Sequence, residues 1–156
     1  MPVPDPLEDL ALLIEAARGA GRIAARFFRD EPETWDKPGG AGPVTEADLA
    51  VDAMLRDRLC DARPDYGWLS EETPDTPDRL SASRVFIIDP IDGTKAFIEG
   101  SSAFSHSLAV VEDGVVIAAV VYLPIRGKLY AAARGHGATL NDMSIRASAA
   151  LDLKDA

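Results

Sequence analysis

The chain has 156 residues, enough for one sizeable core, with 47% hydrophobic and 27% charged residues, both ordinary for a globular protein. Its formal net charge of −10 argues against a nucleic-acid polymer as partner, because such binding relies on Lys and Arg to neutralise phosphates. A small anionic substrate stays open, since bound cations can reverse the local field.

No stretch approaches the roughly 20 apolar residues of a membrane span, so no membrane partner is expected. The first residues lack the charged and apolar regions of a secretory leader. A single cysteine, Cys60, cannot form an internal disulfide and fits a reducing compartment, so the expected location is cytoplasmic.

In chain order the first predicted element is an amphipathic helix. Asp5-Pro6-Leu7-Glu8 supplies an Asp cap, a proline at the first helical position and a Glu three residues after the cap. Leu7, Leu10, Ala11, Ile14, Ala17, Gly21 and Ala24 then recur at helical spacing. Within them Ala17, Ala20, Gly21 and Ala24 form a small-residue face suited to close packing, and Phe27 and Phe28 end the helix. Asp30 to Pro43 reads as a polar loop rich in Pro and Gly.

Thr45 caps a second helix that runs to about Leu59, with Val51, Met54, Leu55 and Leu59 as its apolar stripe and Cys60 expected in the core. Gly67-Trp68-Leu69 reads as a short strand delivering Glu71 and Glu72, and Val85 to Ile88 as a buried strand. A β-meander follows: Phe104 to Val111 and Val115 to Leu123 joined at Glu112-Asp113-Gly114, then Lys128 to Ala133. Gly135 to Leu140 leads into a turn at Asn141-Asp142. The two histidines, His106 and His136, have no spacing that suggests a metal pair and are expected to be structural.

The most informative run is Val85-Phe86-Ile87-Ile88-Asp89-Pro90-Ile91-Asp92-Gly93-Thr94. Asp89 and Asp92 can both stay ionised close together only if a cation neutralises them, and carboxylate oxygens favour Mg²⁺. Gly93 lets the backbone approach a ligand, and the amides of Gly93, Thr94 and Lys95 could face an anion. Acids for a metal beside amides for an anion point to phosphate chemistry.

Other readings of the run fare worse. An EF-hand loop needs acids at alternate positions before its glycine, where Ile88 and Pro90 stand. An aspartyl-phosphate enzyme needs its acids two apart rather than three. A polar turn after a strand would account for Asp92-Gly93 alone but not for the whole run.

Asp89-Pro90-Ile91-Asp92-Gly93-Thr94 resembles the signature of the inositol monophosphatase superfamily of Mg²⁺-dependent, lithium-sensitive phosphomonoesterases. Pro43-Val44-Thr45-Glu46-Ala47-Asp48 and Leu69-Ser70-Glu71-Glu72 match further family motifs in the right order. The resemblance implies an α+β, layered αβαβα sugar-phosphatase fold, of which residues 1–156 would be the N-terminal half: two helices packed on a largely antiparallel, mixed sheet.

It also implies metal ligands at Glu71, Asp89, Asp92 and the backbone carbonyl of Ile91, and a phosphate cradle at Asp92, Gly93 and Thr94. Asp48 and Thr94, with Glu71, would handle the attacking water. Asp48 read alone would be a first-turn acid favoured by the helix dipole, worth roughly 0.3–1 kcal/mol. Lys37 resembles a lysine that the family holds near its metal site; the alternative is a solvated loop lysine. Gly42 stands where many relatives carry an acid before Pro-Val-Thr. Ser70, Lys95 and Phe97 resemble the branch acting on 3'-phosphoadenosine 5'-phosphate rather than on inositol phosphates.

The expected activity is therefore hydrolysis of a small phosphorylated metabolite by metal-activated water. The alternatives are a catalytically impaired half-protein acting as a binding or regulatory module, and an aspartyl-phosphate-forming phosphatase. Complete family members carry a further metal-binding aspartate in a second half, a C-terminal domain that this chain is expected to lack. An isolated N-terminal half is expected to expose an apolar sheet face and to form a homodimer, aggregate or unfold easily.

Overall fold

A computed structural model describes residues 4–152 and 154. Among them the chain forms three α-helices, a two-stranded and a seven-stranded sheet. Helix α1 (Pro6–Phe27) starts as the sequence predicts, with the Asp5 carboxylate accepting the Leu7 amide at 2.8 Å. The predicted loop after it contains a small antiparallel ribbon, β1 (Thr34–Asp36) with β2 (Pro43–Thr45), so the Pro/Gly-rich segment is more ordered than expected. Helix α2 (Glu46–Ala62) runs three residues past the predicted end.

Strand β3 (Gly67–Ser70) pairs in parallel with β4 (Arg84–Asp92), and every later neighbour is antiparallel. Those neighbours are β5 (Ser105–Glu112), β6 (Val115–Leu123), β7 (Lys128–Ala133), β8 (Ala138–Leu140) and β9 (Met143–Ile145), in spatial order. Helix α3 (Thr94–Ile98) lies between β4 and β5. The fold class read from the motifs is the one observed, with the hairpin β8–β9 added around the Asn141-Asp142 turn. Both turn residues have positive φ, 48° and 67°, as such a turn demands.

Helices α1 and α2 cover one face of the large sheet. Strand residues alternate, so Phe86 and Ile88, Leu108 and Val110, Val120, Leu129 and Ala131 enter the core between them. The small-residue face of α1 is needed because β6 comes very close. A Cβ on Gly21 would stand 2.6 Å from Tyr122 Cε1 and 3.0 Å from Pro124 Cβ. Leu7, placed on the apolar stripe by its spacing, is instead 44% exposed. The buried position two residues along belongs to Asp9, which ties the start of α1 to Arg84 at 2.8 Å, Arg63 at 3.0 Å and the Tyr66 hydroxyl at 2.9 Å. Cys60 is only partly buried, because it follows the Leu55–Leu59 stripe rather than lying on it.

Candidate active site

Three chain segments meet at the C-terminal ends of the parallel strands β3 and β4. Helix α2 is fixed first. Thr45 Oγ1 accepts the Ala47 and Asp48 amides at 3.1 and 3.2 Å, and Asp48 Oδ2 accepts the Thr45 amide at 2.9 Å and its hydroxyl at 2.5 Å. This reciprocal box points the second Asp48 oxygen out of the turn. Oδ1 lies 2.8 Å from Thr94 Oγ1, which is also 3.1 Å from the Ile91 carbonyl. Asp48 is fully buried, so the structure brings together the pair the motifs predict.

Thr94 opens α3, which at five residues is far too short to hold itself together. Phe97 anchors it: its ring meets Phe104 edge-on at 4.9 Å between centroids and Phe28 at 5.9 Å. Gly93 precedes the helix with φ 89°, a left-handed conformation, and its α-carbon approaches the Ala103 carbonyl so closely that a Cβ would stand 3.2 Å from it.

Asp89 and Asp92 are three residues apart, which on a regular strand would send them to opposite faces. The strand is not regular there. Asp89 pairs with Ser107 and Asp92 with Ser105, so two residues of β4, Pro90 and Ile91, face the single residue His106. This bulge restores the parity. Ser105 and Ser107 share a face, and so do the two acids opposite them, while Pro90 and Ile91 turn inward and are buried.

The acids repel one another. Burial first, then the neighbouring Glu71 and Asp92 and Glu72 charges, push Asp89 up to about 7. Its Oδ1 is buried without a hydrogen-bond partner among the described residues. Glu71 continues the β3–β4 pairing, its amide donating to the Ile88 carbonyl at 3.2 Å, and its side chain is half exposed.

Lys37, reached across the β1–β2 ribbon, places Nζ 2.7 Å from Glu72 Oε1 and 3.4 Å from Glu71 Oε1. It is paired, not a free loop lysine. Burial opposes its charge, yet Glu72 and Glu71 carry its pKa above the ordinary value. Burial pushes Glu72 up while Lys37 holds it down.

Among the described residues no three His, Cys, Asp or Glu side chains already converge as a closed metal cage. What the site offers is an orphan carboxylate oxygen and several hard oxygen donors, with the Lys37 ammonium paired to Glu72 and Glu71. That donor set suits a divalent cation such as Mg²⁺.

Two neighbours of the site escape sequence reasoning. Asp52, one turn after Asp48 on the same face of α2, is buried and accepts the hydroxyls of Ser70 and, at 2.6 Å, Thr73. It thus holds both sides of the Glu71–Glu72 segment, and the i,i+4 spacing was the available signal. His106 is fully buried with Nδ1 2.5 Å from the Pro90 carbonyl, and strand alternation with Leu108 and Val110 marks it as inward-facing. Of the residues resembling the 3'-phosphoadenosine 5'-phosphate branch, Ser70 bonds Asp52 and Phe97 lies in the core; Lys95 is exposed.

The fold and site have counterparts among known proteins. Residues 5–156 match the model of the inositol monophosphatase family, and the chain belongs to that family. It is 37% identical over 148 residues to an inositol-1-monophosphatase of Rhizobium meliloti, covering 94% of this chain and 55% of the relative. It is 35% identical over 142 residues to a histidinol-phosphatase of Chlorobaculum parvum, covering 90% and 54%. The crystal structure of the extragenic suppressor protein suhB from Bartonella henselae superposes with a TM-score of 0.85 at 34% identity, covering 92% and 55%. The chain thus spans about half the length of the relatives it matches.

Proposed function

We propose that residues 1–156 form the phosphoryl-handling domain of a Mg²⁺-dependent phosphomonoesterase acting on a small phosphorylated metabolite. The observation that carries this reading is the bulge in β4. It puts Asp89 and Asp92 on one face, beside Glu71 and next to the Thr94–Asp48 pair.

Glu71, Asp89, Asp92 and the Ile91 carbonyl would hold the cation. When bound, it supplies charge stabilisation for the phosphoryl and leaving oxygens and makes a nearby water a stronger acid. The chain's own residues do the rest. Thr94 Oγ1 accepts a proton from the attacking water as it passes its own to Asp48 Oδ1, whose other oxygen is locked by Thr45. The Gly93 and Thr94 amides orient the phosphate. Lys37 holds Glu72 and limits repulsion around Glu71.

The leaving group is the open variable. Relatives of nearly equal identity carry names for different phosphomonoesters, and each is about twice as long as this chain. This half would supply the shared phosphoryl chemistry, with leaving-group selection in the other half of the relatives' length.

The test is turnover of inositol 1-phosphate, histidinol phosphate and 3'-phosphoadenosine 5'-phosphate with and without Mg²⁺, using the 156-residue chain alone and joined to the C-terminal half of the Rhizobium meliloti relative. Mg²⁺-dependent release of phosphate from one of them is expected. Detection of a phosphorylated Asp89 by mass spectrometry during turnover would overturn direct water attack.

A further inference from the structure

The bulge that pairs Asp89 with Asp92 leaves a debt in the core: the Pro90 carbonyl is displaced from the regular strand ladder and buried. Pro90 has no amide proton, so the register can break there without orphaning a donor. Its carbonyl still needs a partner, and His106 Nδ1 is 2.5 Å away. A carbonyl only accepts, so Nδ1 carries the proton, and the full burial of the ring disfavours the imidazolium, which leaves the neutral Nδ1–H tautomer.

His106 Nε2 is then an acceptor, buried and without a partner among the described residues. The ring packs edge-on to Phe104 and tilted on Tyr122, surroundings that suit an aliphatic side chain better. An unsatisfied buried atom is tolerated in native cores only when something compensates. Here the compensation is the bond to Pro90.

We propose that His106 is a positioning residue that braces the β4 bulge and so keeps Asp89 and Asp92 on one face. Without its donor, the strand can satisfy the Pro90 carbonyl only by slipping toward regular pairing. A slip of one residue would carry Asp92 to the opposite face. His106 touches neither cation nor substrate and acts through the backbone between the two acids. The inference rests on the proposed cation site only for its consequence in metal binding.

Three measurements test it. In wild-type protein, ¹⁵N NMR of the imidazoles is readable because the chain has two histidines and His136 is exposed. A neutral Nδ1-protonated tautomer is expected for His106, and an Nε2-protonated ring would overturn the proposal.

His106→Leu keeps the bulk and removes the donor, whereas His106→Asn keeps a donor at the same distance from the backbone. Titration with Mn²⁺ should show binding weakened roughly tenfold in His106→Leu and largely restored in His106→Asn. Equal affinity in wild type and His106→Leu overturns the brace and leaves the cation site standing.

Hydrogen exchange covers the remaining cases. Faster exchange confined to residues 89–94 in His106→Leu, with α1 and β6 still protected, supports the brace; unchanged protection there overturns it. If the wild type binds no Mn²⁺, the cation site fails, and the brace is decided by exchange and tautomer. If His106→Leu does not fold, the wild-type tautomer and the His106→Asn titration decide.

Discussion

Thr94 Oγ1 stands 2.8 Å from Asp48 Oδ1, joining two motifs 46 residues apart in the chain. One lies in the first turn of α2 and the other in the first turn of α3. Removing the hydroxyl while keeping the shape, Thr94→Val, should lower kcat by roughly 10²–10⁴-fold with KM and Mn²⁺ affinity nearly unchanged. Thr94→Ser should retain most activity. Steady-state kinetics beside a metal titration checks this; a matching loss of metal affinity would assign Thr94 to cation binding instead.

Lys37 holds Glu72, whose side chain is only 4% exposed. Lys37→Met leaves that carboxylate buried without its partner, which should cost roughly 1–3 kcal/mol in metal-free protein. Saturating Mg²⁺ should narrow the difference, because a cation near Glu71 replaces part of the missing charge. Urea unfolding of both proteins, with and without Mg²⁺, measures it. A deficit that Mg²⁺ does not change would mean Lys37 acts only on the fold.

Burial lowers the His106 pKa from 6.5 to about 4, outweighing the bond to Pro90. The unfolded chain therefore binds this proton more readily than the folded one. Stability from this group is complete above pH 6.5 and is lost as pH falls through about 4. At pH 4 the loss is about 3 kcal/mol. Asp89 and Glu72, both raised, titrate in the opposite sense over overlapping pH, so the comparison must cancel them. The stability difference between wild type and His106→Asn, which keeps a donor to Pro90 and so leaves Asp89 in place, should shift by about that amount in favour of the variant from pH 7 to 4. A constant difference would show that the histidine titrates normally.

The sheet face away from α1 and α2 carries Ile87, Val121 and Ile145, each more than a third exposed, with Ala119, Tyr130 and Ala132 between them. An apolar face of this kind normally receives cover. The 156-residue chain alone should bind a hydrophobic dye and dimerise or aggregate near neutral pH. Light scattering with the dye test measures both; a monodisperse monomer with negligible dye binding would contradict the expectation.

Much of the site is legible because its determinants are local. Thr45 and Asp48 sit three apart in a capping box, and such a box closes with any sequence around it. Asp89-Pro90-Ile91-Asp92-Gly93-Thr94 names its acids and its positive-φ glycine directly. Helix α1, the β5–β6–β7 meander and the Asn141-Asp142 turn follow from periodicity and turn chemistry.

What resisted reading depends on partners distant in sequence. Spacing leaves Lys37 equally able to point into solvent, and only the β1–β2 ribbon carries its ammonium to Glu72, 35 residues on. The same spacing argument puts Leu7 on the apolar stripe, whereas Asp9 is the buried residue because Arg84, 75 positions away, neutralises it.

The sequence by itself thus determined which groups are available: the acids, the capping Thr45, the glycine and the small-residue face of α1. Only the tertiary structure decided that Asp89 and Asp92 point the same way. Their three-residue spacing argues against it, and the outcome depends on where β5 places one residue, His106, opposite two. Side-chain direction on a strand is a matter of parity, and parity is set by the neighbouring strand rather than by the strand's own residues.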